Sequence, residues 1–414
     1  MISRRPTTRL PPASDPMATS HLIGTGESQK MQQYEKIISS VMSDRRVEPD
    51  WGSTKVATVT TPWGKETVEA TYTDPLLAGW KVLVVEDTLP PDYADDAAYE
   101  AAGGVVPERI TTMVMRFPRC ILPEFNTHRV FSRNSASSRA RSFKTTIQLV
   151  MEDPYVPLFT VNQKGMGGKF APLDVYMESV STWLEARDRA VYSTLELLLG
   201  SSVMKNWRGS ELTPDDMPAR WEELTDLYMS SYREGNQEGY PSVHKQNANR
   251  LMEPFMWHEA LCTSTYWKNF LDLRISEYAQ PEMKALAILV REALKASVPE
   301  SSVLHLPFIS KDVVDLDDSI IMEDAMLASA SECARISYKD RSTMENKENS
   351  ELGRKLLGQK HMSPFEHVAI ADCSEAHDCP GLRAMLNAVD GRDTTSNLSP
   401  SWIQYRRIVS SREQ

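Results

Sequence analysis

The chain has 414 residues, of which 41% are hydrophobic and 25% charged, a composition typical of a globular protein with room for two or three domains. Its formal net charge of -11 at pH 7 argues against non-specific nucleic-acid binding as the main role. Five cysteines do not make a disulfide framework, and no apolar run approaches the length of a membrane span. We therefore expect a cytoplasmic protein without nucleic-acid or membrane partners.

The N-terminal part changes from polar to strand-like. Residues 1–50 are polar and are expected to be a loosely ordered tail with one helix over 30–42. Alternating residues from Lys55 and from Glu66 flank a turn at 62–65, which predicts a hairpin. A further strand begins at Lys81, and 97–102 fits a short helix. We therefore predict a β-rich segment over 51–110.

The chain is organised around a polar stretch, residues 124–139. It holds one histidine, three arginines, two asparagines and four serines, and it follows a strand predicted over 112–121. The strand has apolar residues at alternate positions, which predicts one buried face: Met113, Met115 and Phe117. The guanidinium forks of the stretch suit phosphate or carboxylate, so we expect a local anion site. The alternative is an Arg- and Ser-rich surface loop.

Much of the remaining chain has helical periodicity. Apolar stripes predict helices over 173–199, 218–228, 253–273, 281–296, 322–335 and 345–357. The glycines of 163–168 are interpreted as a substrate loop or a plain turn rather than as a phosphate cradle. Little periodicity is visible after 369. The fold class predicted is α+β, with a mixed or antiparallel sheet packed by long helices, a core over 111–300 and a C-terminal part over 301–414.

Two further polar motifs stand in this C-terminal half. Residues 265–282 place Asn269 and Arg274 on a predicted helix, and a core stripe of Trp267, Phe270 and Leu273 explains only the apolar positions. Residues 334–338 read ARISY and 361–367 read HMSPFEH. The two histidines of the latter are interpreted as a metal pair only as the weaker alternative. A zinc site at Cys373 and Cys379 is not expected, because no CxxC pair completes it.

The three motifs together resemble those of the flavin-dependent thymidylate synthases, in a phage-like branch. The first matches the family's arginine-rich signature at His128, Arg129, Ser132, Asn134, Ser137 and Arg139, with Thr127, Ser135 and Ala140 standing at its Arg, Glu and Tyr positions. The motifs at 334–338 and 361–367 follow the signature here, whereas their counterparts precede it in the ordinary family. A permuted or duplicated fold would bring them together in space.

The resemblance implies roles for individual residues. Contacts to FAD would come from His128, Arg129, Asn269, Ser337, Ser363 and Glu366. The nucleotide would be held by Glu124, Ser137, Arg139, Arg250 and Arg274. Arg274 would also be the catalytic residue, lying against the uracil ring and stabilising negative charge on it. No metal is implied.

The activity implied by the resemblance is reductive methylation of dUMP to dTMP. Methylenetetrahydrofolate would supply the carbon, and NADPH would reduce the FAD that supplies the electrons. Two alternatives stay open: a related pyrimidine modifier such as a dUMP hydroxymethylase, and a catalytically degenerate nucleotide-binding homologue. The resemblance also implies a homo-oligomer, a tetramer or, for a duplicated fold, a dimer. If a phage encodes the chain, the compartment would be the host cytoplasm.

Overall fold

A computed structural model describes residues 48–61, 63–93, 108–137, 141–233, 240–241, 243–310, 314–316, 318–336, 346–389 and 397–412. Most of the predicted tail and the helices expected over 30–42 and 97–102 lie outside these residues, as do Arg139 and Ser337. Helices and antiparallel strands are mixed, which confirms the α+β class. The division of the chain into domains stays a prediction.

The first half of the described chain supplies five of the ten strands and the longest helix. The strands are β1 (Thr54–Thr60), β2 (Glu66–Tyr72), β3 (Lys81–Leu89), β4 (Ile110–Pro118) and β5 (Ser132–Ser135). The helices are α1 (Leu122–Phe125), α2 (Phe143–Glu152), α3 (Leu173–Leu199), α4 (Ser201–Lys205), α5 (Met217–Arg233) and α6 (Lys245–Asn249). The predicted hairpin is β1 and β2, and the predicted helix over 173–199 is α3.

The second half adds one central strand and the C-terminal layer. The strands are β6 (Trp257–Ser264), β7 (Glu300–Ser301), β8 (Leu304–His305), β9 (Ala369–Ala371) and β10 (Trp402–Gln404). The helices are α7 (Trp267–Arg274), α8 (Pro281–Ala296), α9 (Ser319–Ala334), α10 (Asn346–Gly358), α11 (Ser374–Asp378), α12 (Pro380–Asn387) and α13 (Tyr405–Arg412). Two sheets result, with strand orders β1-β2-β3-β4-β6-β5 and β10-β9-β8, and β7 pairs with β3.

The main sheet is buried on both faces. Met113, Met115 and Phe117 point into one core, which α8 covers, as the alternation predicted. On the other face Leu261 packs with Phe308 and Cys333 of the C-terminal part. A third core joins α2, α3 and α5 at the side of the sheet. The strands β4 and β6 therefore lie between two packed layers.

One expectation about secondary structure is wrong. The helix predicted over 253–273 is interrupted by the strand β6, because Trp257–Ser264 pairs with β4 on one side and β5 on the other. Sheet pairing partners far away in sequence decide that conformation, and no local pattern reports them. The stretch after 369, where the sequence shows little periodicity, contains β9, β10 and three short helices that form part of the C-terminal core.

Candidate active site at the edge strand

The signature stretch folds around Arg274, at the edge of the main sheet. Helix α1 and the following turn bring His128 to the end of α7, where Arg274 Nε donates to His128 Nε2 at 3.0 Å. Arg274 Nη2 also donates to Thr127 Oγ1, at 3.4 Å. The side chains lie 146 and 147 positions apart in sequence. The fold therefore brings together two motifs that the sequence assigned to one site.

Aromatic packing fixes the ring of His128. The ring stacks on Phe131 at 5.6 Å between centroids and meets Phe270 edge-on at 4.9 Å. Burial, and then the positive charge of Arg274, lower the pKa of His128 to about 4. The imidazole is consequently neutral near pH 7. Because its Nε2 accepts from Arg274, the proton lies on Nδ1.

The HMSPFEH motif at 361–367 lies against β5, the strand formed by the signature stretch, on the other side of the same sheet edge. Gln404 Nε2 donates to Ser132 Oγ at 3.0 Å and to the backbone oxygen of Glu366 at 3.0 Å. Asn134 Nδ2 donates to the backbone oxygen of Cys333 at 3.1 Å. The carboxylate of Glu366 forms an ion pair with Arg406. Motifs that are some 230 residues apart in sequence thus meet on one strand, as a rearranged fold requires.

A buried chain of hydrogen bonds continues from the HMSPFEH motif through the sheet. His367 Nδ1 lies 2.7 Å from Thr263 Oγ1, which lies 2.6 Å from Thr112 Oγ1. Thr112 Oγ1 lies 2.8 Å from His305 Nε2, whose ring Nδ1 lies 2.8 Å from Thr88 Oγ1. All five side chains are fully buried. The chain therefore ties the C-terminal layer to three central strands.

This chain has a defined direction. Thr88 Oγ1 donates to the carboxylate of Glu86 at 3.3 Å, and a carboxylate only accepts. Each hydroxyl or ring N–H of the chain therefore donates to the next group on the way to Glu86. The ring of His367, at the far end, consequently carries its proton on Nδ1. Its Nε2 is buried and has no hydrogen-bond partner among the described residues. Burial lowers the pKa of His367 to about 3, so the ring is neutral near pH 7.

Several donors along the edge face solvent. Arg129, Asn269 and Ser363 are exposed, and their side chains make no hydrogen bond to the described part of the chain. Donors without partners around an edge strand suit a ligand with many acceptors, such as the phosphates and ring carbonyls of FAD. These three side chains are therefore free to contact a ligand, and the FAD contacts expected of them, of His128 and of Glu366 stay a prediction.

The residues expected to hold a nucleotide are only partly brought together among the described residues. Ser137 is half-buried just after β5. Glu124 is half-buried, and its Oε2 is enclosed without a hydrogen-bond partner among the described residues. Arg250 is exposed, and no hydrogen bond, ion pair or ring contact of the described residues links it to His128 or Arg274.

Glu282 belongs to the matched motif but is buried at the start of α8. It accepts from Tyr155 Oη at 2.9 Å and from the backbone nitrogen of Leu158 at 3.2 Å. It therefore supports the loop before α3. On α7, Trp267 and Phe270 are buried, whereas Leu273 is 54% exposed. The alternative interpretation of this helix, a buried apolar face, is thus correct for two of the three apolar residues.

The thiol within the central strand β6 is a poor nucleophile. Cys262 is fully buried, and burial raises its pKa above the ordinary range. It is therefore protonated near pH 7. Among the described residues no three His, Cys, Asp or Glu side chains are grouped as a metal site, and no helix has the length and apolar character needed to cross a bilayer.

The sequence analysis did not single out the residues that connect the signature stretch with the HMSPFEH motif. Gln404 and Arg406 lie in the tail that showed little periodicity, and Thr112 and Thr263 lie in strands whose hydroxyls look like ordinary strand residues. Polar residues at inward positions of β4 and β6 were the one available signal, since buried hydroxyls need partners.

Comparison with known proteins gives a likeness among solved structures. No protein-family model and no curated protein sequence matches the chain. Among solved structures, the chain is similar to the UMP/dUMP methylase PolB from Streptomyces cacaoi bound with 5-Br UMP. The identity is 13%, the TM-score is 0.31, and the match covers 52% of this chain and 93% of that chain.

Proposed function

We propose that the protein is a flavin-dependent thymidylate synthase that converts dUMP to dTMP at the β5 edge. The observation that carries the proposal is the contact of Arg274 with His128 and Thr127, on the same strand edge that meets Glu366. Methylenetetrahydrofolate is the proposed carbon donor and NADPH the proposed reductant. FAD, when bound, supplies the reducing equivalents for the transferred carbon.

Arg274 is the residue that acts on the pyrimidine in this proposal. Its Nε and Nη2 are held by His128 and Thr127, which leaves Nη1 for a ligand. A guanidinium fixed in this way stabilises negative charge on the pyrimidine oxygens, which makes C5 more nucleophilic. His128 acts by positioning, because as a neutral acceptor it orients Arg274 without competing for an anion.

The cysteines support the proposal indirectly. A synthase that attacks C6 of the pyrimidine through a thiolate needs a thiol of lowered pKa. The buried thiol of Cys262, in the central strand β6, has a raised pKa instead. Activation of C5 by Arg274 does not require a nucleophilic side chain.

Association of several copies is also proposed. Leu273 and Tyr278, which flank Arg274, are 54% and 86% exposed. Neighbouring exposed apolar side chains favour an interface, and a second copy there would enclose the edge. Light scattering of the purified protein, with Tyr278→Ser as the comparison, distinguishes a tetramer or dimer from a monomer.

The test begins with the absorbance spectrum of the purified protein. We expect an oxidised-flavin band near roughly 450 nm that shifts on addition of dUMP. With methylenetetrahydrofolate and NADPH, dTMP should form; hydroxymethyl-dUMP would instead identify the related modifier. A protein that takes up neither FAD nor dUMP would refute the enzyme assignment.

Variants locate the site. Arg274→Ala should remove turnover while the protein stays folded, whereas Lys268→Ala, on the exposed side of the same helix, should not. Lys268 is a suitable control because its side chain is 79% exposed and, within the described part of the chain, pairs only with Asp272. Arg139→Ala and Arg250→Ala should weaken dUMP binding if these arginines hold its phosphate. Unchanged affinity in both would remove them from the proposal.

A further inference from the structure

The signature strand β5 presents successive side chains to opposite faces of the sheet. Ser132 and Asn134 bond to the C-terminal layer. Arg133, between them, points to the other face, because side chains alternate along a strand. Its directly opposite neighbour on β6 is Cys262, which belongs to the core covered by α8. Arg133 therefore turns towards the face on which the ring of His128 also packs.

The guanidinium of Arg133 binds two carbonyls of the turn that carries His128. Its Nη1 donates to the backbone oxygen of Phe125 at 3.3 Å and to that of His128 at 3.1 Å. Each of these oxygens already accepts a backbone bond, since the nitrogen of His128 donates to Phe125 and the nitrogen of Phe131 donates to His128. A carbonyl oxygen has two lone pairs and can accept both bonds. One guanidinium nitrogen therefore ties together two consecutive turns, 125–128 and 128–131.

A second guanidinium holds the same histidine through its ring. Arg274 Nε donates to His128 Nε2, and Arg274 Nη2 donates to Oγ1 of the neighbouring Thr127. The backbone of His128 is thus held from β5 and its ring from α7. Rotation of the turn would displace the acceptor atoms of Arg274 together with the carbonyl that Arg133 binds. The contacts of Arg133 and the orientation of Arg274 are therefore coupled through one histidine.

Arg133 also acts on the charge of the imidazole. Burial is the main reason for the low pKa of His128, and the positive charges of Arg274 and then of Arg133 lower it further. A protonated imidazole has no lone pair and could not accept from Arg274 Nε. Arg133 therefore favours the neutral form of the ring, which is the form that the contact with Arg274 requires.

We propose that Arg133 is a positioning residue for Arg274. It holds the carbonyl of His128, and the histidine in turn orients the guanidinium that acts on the pyrimidine. The effect on catalysis rests on the proposed function of Arg274, whereas the coupling between the two arginines does not. The arginine-rich signature specifies the neighbours Ser132 and Asn134 but leaves position 133 open, so the resemblance does not assign this role.

The coupling is tested by nuclear magnetic resonance on the full chain, with isotope-labelled arginine and histidine. Arg133→Met keeps an apolar side chain and removes the guanidinium. In this variant the Nε proton of Arg274 should exchange with solvent about tenfold faster or more, because its acceptor is held less firmly. The pKa of His128 should rise, because one of two neighbouring cations is lost. Unchanged exchange of the Arg274 proton in Arg133→Met would overturn the inference.

Two further variants separate the hydrogen bonds from the charge. Arg133→Lys keeps the charge but lacks the planar fork, so the pKa of His128 should stay near the wild-type value while the Arg274 proton exchanges at an intermediate rate. If Arg133→Met does not fold, this variant decides, and wild-type exchange in it would refute the coupling. Arg220→Met is the control, because Arg220 is exposed on α5 and, among the described residues, pairs with Glu223. It should change neither measurement.

Turnover gives a second readout. If the protein forms dTMP, Arg133→Met should lower kcat about tenfold or more. The acidic limit of kcat/KM should move to higher pH together with the pKa of His128. Arg133→Lys should recover part of the rate, and a wild-type rate and pH profile in Arg133→Met would refute the positioning role. A protein that does not convert dUMP would refute the proposed function, and the exchange of the Arg274 proton would then decide the inference by itself.

Discussion

Replacing Thr263 by valine should reveal how strongly the buried hydrogen-bond chain holds the C-terminal layer to the sheet. The substitution keeps the shape of the side chain and removes one hydroxyl. That hydroxyl makes two bonds, at 2.6 Å to Thr112 and at 2.7 Å to His367. His367 would be left with no hydrogen bond from its ring to the described residues. Since the site is fully buried, water cannot replace the lost partner.

The expected cost follows from these two bonds. Leaving one buried polar group unsatisfied costs about 1–3 kcal/mol. Thr112 keeps its bond to His305, so its loss is the smaller one. We therefore expect Thr263→Val to lower the free energy of unfolding by about 2–4 kcal/mol.

The assay is urea unfolding followed by circular dichroism. Thr58→Val is the matched control, because Thr58 is exposed on the edge strand β1, and it should change the free energy by less than about 0.5 kcal/mol. A double-mutant cycle with Thr112→Val should give a coupling of about 0.5–3 kcal/mol. A cost for Thr263→Val that is no larger than that of the control would refute the hydrogen-bond chain as described.

Three other predictions concern helix packing, pH and the site. Gly353→Ala should destabilise the protein more than Gly358→Ala in the same helix. An added Cβ at 353 would lie 2.5 Å from the backbone oxygen of Leu327, whereas at 358 it meets no atom within 4 Å. Equal unfolding midpoints of the two variants would contradict this. Burial lowers the pKa values of His258 and His367 to about 3 each, so the unfolded chain binds more protons than the folded one between pH 6.5 and 3. The free energy of unfolding should therefore fall as the pH falls through this window, by up to about 1.4 kcal/mol per pH unit for each histidine. In acid titrations, His367→Asn should reduce this dependence of the free energy on pH. An unchanged dependence would remove His367 as a cause. Arg274→Ala should lower dUMP affinity by about tenfold or more in equilibrium dialysis, and wild-type affinity would exclude Arg274 from the nucleotide site.

His128 and Arg274 show why the site needs both motifs. Arg274 alone is an arginine at the end of a short helix, and His128 alone is a histidine in a polar turn. Their hydrogen bond of 3.0 Å makes the histidine a neutral acceptor and leaves part of the guanidinium for a ligand. A substitution of His128 should therefore act through the orientation of Arg274.

Local sequence determined the elements whose stability comes from nearby residues. The amphipathic stripe of α3 and the first-turn proline of α8 set these helices, and the alternation of Met113, Met115 and Phe117 set the buried face of β4. Such patterns work because 3.6-residue and 2-residue periods report directly which face is apolar. The polar motifs were visible in the sequence for the same reason, since they interrupt those periods.

Only the tertiary structure decided what these elements meet. Residues 257–264 have a helix-compatible pattern, yet they form a central strand because β4 and β5 offer hydrogen-bonding edges on both sides. Long-range contacts likewise placed Gln404 between Ser132 and Glu366, and joined His367 to Thr263. Backbone pairing and buried polar groups are satisfied by partners far away in sequence, and the local pattern contains no record of them.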